Sequence, residues 1–222
     1  MKPIYFITGT NTGAGKTVLA ALCVRALRRR HINATGLKPI CSGGRDDARA
    51  LAAAGDGALS INEVNPWHFR PPIAPLLAAR TEKQTILLSD VVAHISAVRR
   101  QFDVVVVEGA GGLLSPLGKN FDSRDLLLAL RAQPIIVAPN TLGAINHLLL
   151  TVEALPKKYQ VMAKLVLVAP PKPDAATGSN PGLLAEFFDR RRIFQLPHFS
   201  NPFSPLPLKT KSVTETLRRL LA

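Results

Sequence analysis

Six short β-rich runs recur along the 222-residue chain: Ile4–Thr8, Ala34–Lys38, Val104–Glu108, Ile135–Ala138, Leu165–Ala169 and Ile193–Leu196. Several lack polar alternation, as strands covered on both faces do. Between them lie helical patterns near Lys16–Arg30, Asp47–Ala54, Ser89–Arg100, Ser123–Arg131, Ala144–Leu155 and Pro181–Arg190, and Thr210–Leu221 predicts a closing helix. Strand–helix alternation predicts an α/β fold, a doubly wound, mostly parallel sheet with helices on both faces. There are no repeats or low-complexity tracts. The proline-rich stretches Asn65–Pro75 and Pro197–Pro207 read as loops rather than linkers, so residues 1–222 are expected to form a single domain.

Composition narrows the setting. Hydrophobic residues make up 47% and charged residues 19%, a globular balance with enough apolar surface for a core. No apolar run approaches the about 18 residues of a membrane span. Met1-Lys2-Pro3 leads directly into the first apolar run and a glycine loop, without a cleavage site, so a cytoplasmic chain with no membrane partner is expected. Cys23 and Cys41 belong to no metal-type pair and read as reduced structural thiols. The net charge of +13 raises the question of nucleic acid. The basic residues are scattered, however, over Arg28–Arg30, Arg99–Arg100, Lys157–Lys158, Arg190–Arg192 and Lys209–Arg219, mostly where helices should end and cations meet the negative end of the dipole. No aromatic residues interleave with them. Solvated helix ends are the better account, and no nucleic-acid partner is expected.

In sheets of this kind ligands bind beyond the carboxyl ends of the strands. The segment Gly9–Thr17 (GTNTGAGKT) follows the first strand and opens the first helix, the context that a phosphate-cradling loop demands. Glycines let successive amides turn towards phosphate oxygens, and the helix N-terminus adds its positive dipole end. Lys16 would reach the β- and γ-phosphates and the Thr17 hydroxyl would bind Mg2+, which makes a nucleoside triphosphate the expected ligand. Gly9 and Gly15 stand one residue further apart than the common motif allows, and Thr10 occupies the strict position.

Glu108 ends an apolar strand and runs into Gly109-Ala110-Gly111-Gly112. It reads as a magnesium ligand in preference to a strand-capping acid, because a charge ending a buried strand needs a partner. Lys38 leaves the second strand towards the same edge, where it either stabilises an anion or is simply solvated. Asp46 and Asp47 open a helix, where the dipole favours acids in any case. Asn146 reads first as a cap of the turn after Gly143. The histidines show no metal spacing.

Taken together, TGTNTGAGKT, GLKPICSGG with DDARAL, NPWHF, VVVEGAGGLLSPL and LGAINHLLLT resemble the dethiobiotin synthetase family over about two-thirds of the chain. The longer glycine spacing is also that family's. The resemblance implies a homodimer of α/β subunits of the P-loop type that closes a cyclic urea from 7,8-diaminononanoate, CO2 and ATP, with Mg2+. By motif position, Lys16, Lys38 and Thr12 would be catalytic. Asn11, Thr12, Gly13, Ala14, Gly15, Lys16 and Thr17 would line the nucleotide with Glu108, Gly109, Ala110 and Gly111. Thr17, Asp47 and Glu108 would hold the metal. Lys38, Ser42 and Gly111 would meet the substrate, and Gly143, Ala144, Ile145 and Asn146 would receive its carboxylate across the dimer interface. Two positions depart from the family. Gly13 stands where many members have an acid, and Pro170 falls where an adenine-reading asparagine is expected, with Pro197-His198-Phe199 offered as part of the base pocket. A ParA/MinD-like partitioning ATPase is the alternative. Those proteins carry a signature lysine early in the loop, where this chain has Asn11.

Overall fold

The computed structural model describes residues 2–200, 208 and 210–222. In chain order the strands are β1 (Ile4–Gly9), β2 (Ala34–Leu37), β3 (Ile40–Ser42), β4 (Trp67–Phe69), β5 (Val104–Gly112), β6 (Pro116–Gly118), β7 (Phe121–Asp122), β8 (Gln133–Pro139), β9 (Lys164–Val168) and β10 (Ile193–Leu196). The helices are α1 (Lys16–Arg29), α2 (Asp46–Ala54), α3 (Ile61–Val64), α4 (Pro75–Thr81), α5 (Leu88–Gln101), α6 (Ser123–Ala129), α7 (Ala144–Glu153), α8 (Lys157–Met162), α9 (Ala175–Leu184) and α10 (Lys211–Leu220).

The six β-rich runs are the six strands of one parallel sheet, ordered β10-β9-β8-β1-β5-β2. Every residue of β1 is buried, and so are Val104–Val107 and Ile135–Ala138 in β5 and β8 beside it. A strand buried at every residue is covered on both faces, which is why these runs do not alternate. Burying large side chains such as Phe6, Ile7, Leu19 and Leu22 contributes about 1.5–3 kcal/mol each. No described helix is long and apolar enough to cross a membrane. Cys23 and Cys41 are both buried free thiols.

Two expectations change. The predicted helix Pro181–Arg190 lies at Ala175–Leu184, because Asp174 and Thr177 form a capping box that starts it earlier. After its end, Asp189 caps a short 3-10 turn, Arg190–Arg192, that leads into β10. The predicted loop Asn65–Pro75 contains β4, paired in parallel with β3, and ends at the first residue of α4. Of the proline-rich stretch 197–207, residues 201–207 lie outside the described residues.

Candidate active site

The loop between β1 and α1 owes its shape to two glycines. A Cβ on Gly9 would stand 2.9 Å from the Asn11 carbonyl oxygen and 3.1 Å from Ala14 Cβ, so the loop curls over a position with no room for a side chain. Gly15, at φ +96°, turns the chain into α1 and serves as its N-cap without a side-chain bond. Lys16 folds back to donate to the Asn11 carbonyl at 2.9 Å. Burial, and then repulsion by Lys38, hold its ammonium below the ordinary lysine value, with Glu108 and Asp47 offsetting part of the effect.

Three further elements bring their residues to this loop. Lys38 follows β2, Asp47 lies in the first turn of α2, and Glu108 lies in β5. Lys38 Nζ stands 2.5 Å from Glu108 Oε1 and 2.9 Å from Asp47 Oδ2, and reaches the Gly109 carbonyl at 3.4 Å. Burial works against its charge, but the two carboxylates outweigh that and raise its pKa. Burial likewise pushes Asp47 up, yet the Lys38 charge and the hydrogen bonds from Lys38 and Thr17 bring it below the ordinary carboxylate value. Glu108 is raised, by burial first and by Asp47, against the pull of Lys38. Asp46 turns away to pair with Arg49 at 2.6 Å, which separates the two adjacent acids.

The Thr17 hydroxyl oxygen lies 2.8 Å from Asp47 Oδ1 and 2.9 Å from Glu108 Oε1. It carries one proton, so only one of these contacts is a donated hydrogen bond. The other brings two oxygens together in a way that a further proton or a cation would relieve. Among the described residues, the buried side-chain oxygens without a partner are Thr8 Oγ1, Thr10 Oγ1 and Glu108 Oε2, all at this edge of the sheet. A hydroxyl and two carboxylates form an all-oxygen set, and an orphaned carboxylate oxygen beside them fits a hard divalent ion such as Mg2+.

These groups face a cavity of about 820 Å3 that Thr12, Gly13, Ser42, Ala110 and Gly111 also line. Ser42 donates to the Ile73 carbonyl at 2.5 Å. Gly111 adopts φ +66°, and a Cβ there would meet Ser115 Oγ at 2.2 Å. Sequence reasoning missed the wall formed by Cys41, Pro72–Pro75, Ser115 and Pro116. The proline cluster carried that signal, but only the β3–β4 ladder turns it towards the cavity.

A second cavity, of about 340 Å3, adjoins the loop at Gly13, Ala14 and Gly15. Pro170 and Phe199 line it as expected. His198 does too, with Val18, Pro139, Val168, Ala169 and Pro171, whereas Pro197 is not among its lining residues. Gly143, Ala144, Ile145 and Asn146 open α7 and line neither cavity. The α7 N-cap is Gly143, at φ +90° and without a side-chain cap bond, so the cap reading of Asn146 does not hold.

A glycine-bearing loop between a central parallel strand and its helix, with lysine and threonine entering that helix, defines a P-loop nucleotide-binding protein of the α/β class. Residues 4–201 match the family model AAA_26, described as an AAA domain. The ATP-dependent dethiobiotin synthetase BioD of Anaeromyxobacter sp. (strain K) is 39% identical over 197 residues, covering 86% of this chain and 88% of the relative. That of Akkermansia muciniphila is 34% identical over 195 residues, covering 87% and 92%. The chain belongs to the ATP-dependent dethiobiotin synthetase family.

Among solved structures, a ParA family ATPase from Chlorobium tepidum TLS aligns with TM-score 0.62 at 13% identity over 100% of both chains. The MinD cell division protein of Aquifex aeolicus aligns with TM-score 0.57 at 14% identity, over 99% of this chain and 97% of that one. At such identity the likeness is one of fold, and the partitioning alternative keeps no other support.

Proposed function

We propose that the chain is a cytoplasmic, homodimeric cyclo-ligase that forms the ureido ring of dethiobiotin from 7,8-diaminononanoate, CO2 and ATP. One substrate amine attacks CO2 and loses a proton, giving a carbamate. A carbamate oxygen then attacks the γ-phosphorus of ATP, and the bond to the bridging oxygen breaks with ADP as leaving group. The second amine attacks the carbonyl carbon of this mixed anhydride. Phosphate leaves with the electron pair, and the ring nitrogen sheds its proton as the ring closes.

Within this reading, the amides of Asn11–Gly15 and the N-terminus of α1 hold the phosphates, and the Lys16 ammonium neutralises charge on the transferred group. Lys38, kept protonated by Glu108 and Asp47, faces the carbamate, and Thr12 and Ser42 position it. Gly109, Ala110 and Gly111 let the backbone approach the ligands closely. Thr17, Asp47 and Glu108 would hold Mg2+, which when bound screens the phosphate charges. Pro170 and Phe199 would flank the base, with Pro197 at the edge of that turn.

A homodimer is supported by an open groove of about 550 Å3 beside Asn11 and Thr12, lined by Leu114 and Leu150, which are 52% and 62% exposed. Leu142, 87% exposed, precedes the Gly143–Asn146 turn that would receive the substrate carboxylate from the partner subunit.

The observation that carries the proposal is the convergence of Lys16, Thr17, Lys38, Asp47, Glu108 and Ser42 on one cavity in a chain of this family. Its test is dethiobiotin formation, followed by mass spectrometry, from 7,8-diaminononanoate, bicarbonate, ATP and magnesium. The wild-type protein should make it, and Lys16→Ala should lose at least about 100-fold in turnover. A folded wild-type protein that makes none would overturn the assignment.

A further inference from the structure

The positive charge that looks scattered along the sequence is gathered by the fold. All strands of a parallel sheet start at one edge, here the edge opposite the Lys16–Lys38 cavity. Basic residues stand in the segment that leads into each strand: 190–192 before β10, Arg131 before β8, Lys2 before β1, 99–100 before β5, 28–30 before β2, and 157–158 at the start of the short helix α8 that precedes β9. In sheet order they form a row from one side of the molecule to the other, about 24 Å long at about 4.8 Å per strand. Lys164 Nζ meets the Leu220 carbonyl at 2.6 Å, which brings the basic last turn of α10, Arg218 and Arg219, to the same edge.

Helix dipoles account for part of this row. The last turns of α1, α5 and α10 are basic, as the dipole favours. Lys2 and Arg192 also serve helix ends: Lys2 Nζ meets the Arg100 carbonyl at 3.3 Å, and Arg192 donates to the Gln160 and Ala163 carbonyls at the end of α8. Helix ends do not account for Lys157 and Lys158, which open a helix, nor for Arg131, Arg190 and Arg191. Acids on the edge are few, and the structure pairs them locally: Asp56 with Arg28, Asp103 with Lys2, Glu153 with Lys157, Asp189 with Arg191 and Glu215 with Arg218. The surplus is cationic.

We infer that this edge is a docking surface for duplex nucleic acid, bound through its phosphates without sequence preference. A long row of cations complements a backbone that carries one negative charge per about 1.7 Å of helix axis. Among the described residues, the large exposed apolar side chains at this edge are confined to the β9–β10 corner, at Val161, Met162 and Phe187. A membrane-inserting surface would need them along the row, and a single-strand platform would need repeated aromatics. The inference does not rest on the reaction proposed above.

The test is fluorescence anisotropy of the whole protein with a labelled random-sequence duplex of about 20 base pairs, at 50 and 200 mM salt. Binding should be measurable at low salt and weaken by about 1,000-fold at the higher salt. Arg30→Glu/Arg100→Glu/Lys158→Glu/Arg190→Glu changes four exposed side chains remote from the cavity. It should lower duplex affinity at least about tenfold while nucleotide-dependent turnover stays at wild-type level. If that variant fails to fold, Arg100→Glu/Lys158→Glu should still weaken binding and flatten the salt dependence. No duplex binding by the wild-type protein at low salt, equal binding by the folded variants, or tighter binding to phosphatidylserine vesicles than to duplex would each overturn the inference.

Discussion

The ammonium of Lys38 lies 2.5 Å from Oε1 of Glu108, and both side chains are buried. The two come from neighbouring strands, β2 and β5, whose register pairs Leu37 with Val107 and so sets the next residues side by side. Burying either charge alone is costly, so each makes the other tolerable at the mouth of the cavity.

Removing one partner should therefore cost more than removing both. Lys38→Met is expected to lower unfolding free energy by about 3–5 kcal/mol, because it leaves a buried carboxylate without its cation. Lys38→Met/Glu108→Leu should recover most of that loss in denaturant titrations and remain inactive. The single variant should also show a pH signature. Burial raises the Glu108 pKa in the folded state, so protonation favours that state. The deficit should fade at low pH and grow as pH rises through the elevated value. A double variant no more stable than the single one at neutral pH would contradict this account.

Gly9→Ala tests the packing of the loop. The added methyl would meet backbone at 2.9 Å, so the loop must shift rather than the side chain. Triphosphate affinity measured calorimetrically should drop at least about tenfold, equivalent to about 1.4 kcal/mol. Wild-type affinity would show that the curl over this position is not needed.

The cavity beside Gly13–Gly15 bears on base selectivity. Its lining is mostly apolar, Pro170 offers no side-chain amide, and His198 is its polar side chain. GTP and CTP are expected to support turnover within about tenfold of ATP, since no carboxamide rewards adenine over the other bases. Steady-state rates with each triphosphate decide this, and a strong preference for ATP would refute it.

Cys23 is fully buried in α1, and burial pushes its thiol up to about 12. At pH 8 almost none of it is thiolate, the reactive form. Mass mapping after treatment with a thiol reagent should find Cys23 unmodified in the native protein and modified after unfolding. Rapid labelling in the native state would show that α1 opens locally.

The phosphate loop was legible because its chemistry is local: Gly9, Gly15, Lys16 and Thr17 act through backbone curvature and neighbouring atoms in one short segment. Pairings between distant segments were less so. Asp46 and Asp47 are equivalent by position, and only the turn of α2 sends one to Arg49 and the other to Lys38. The start of α9 was missed because the capping signal of Asp174 and Thr177 lies ahead of any clear apolar periodicity.

The sequence by itself determined the six strands of the sheet and the phosphate loop, because continuous apolar runs and glycine spacing are properties of short segments. Tertiary structure alone decided that Lys38 sits between two carboxylates and that Cys41 and residues 72–75 wall the cavity. It also decided that basic residues far apart in the chain share one edge. In each case the reason is the same: a parallel sheet sends every strand start to one side and every strand end to the other, which sequence distance does not record.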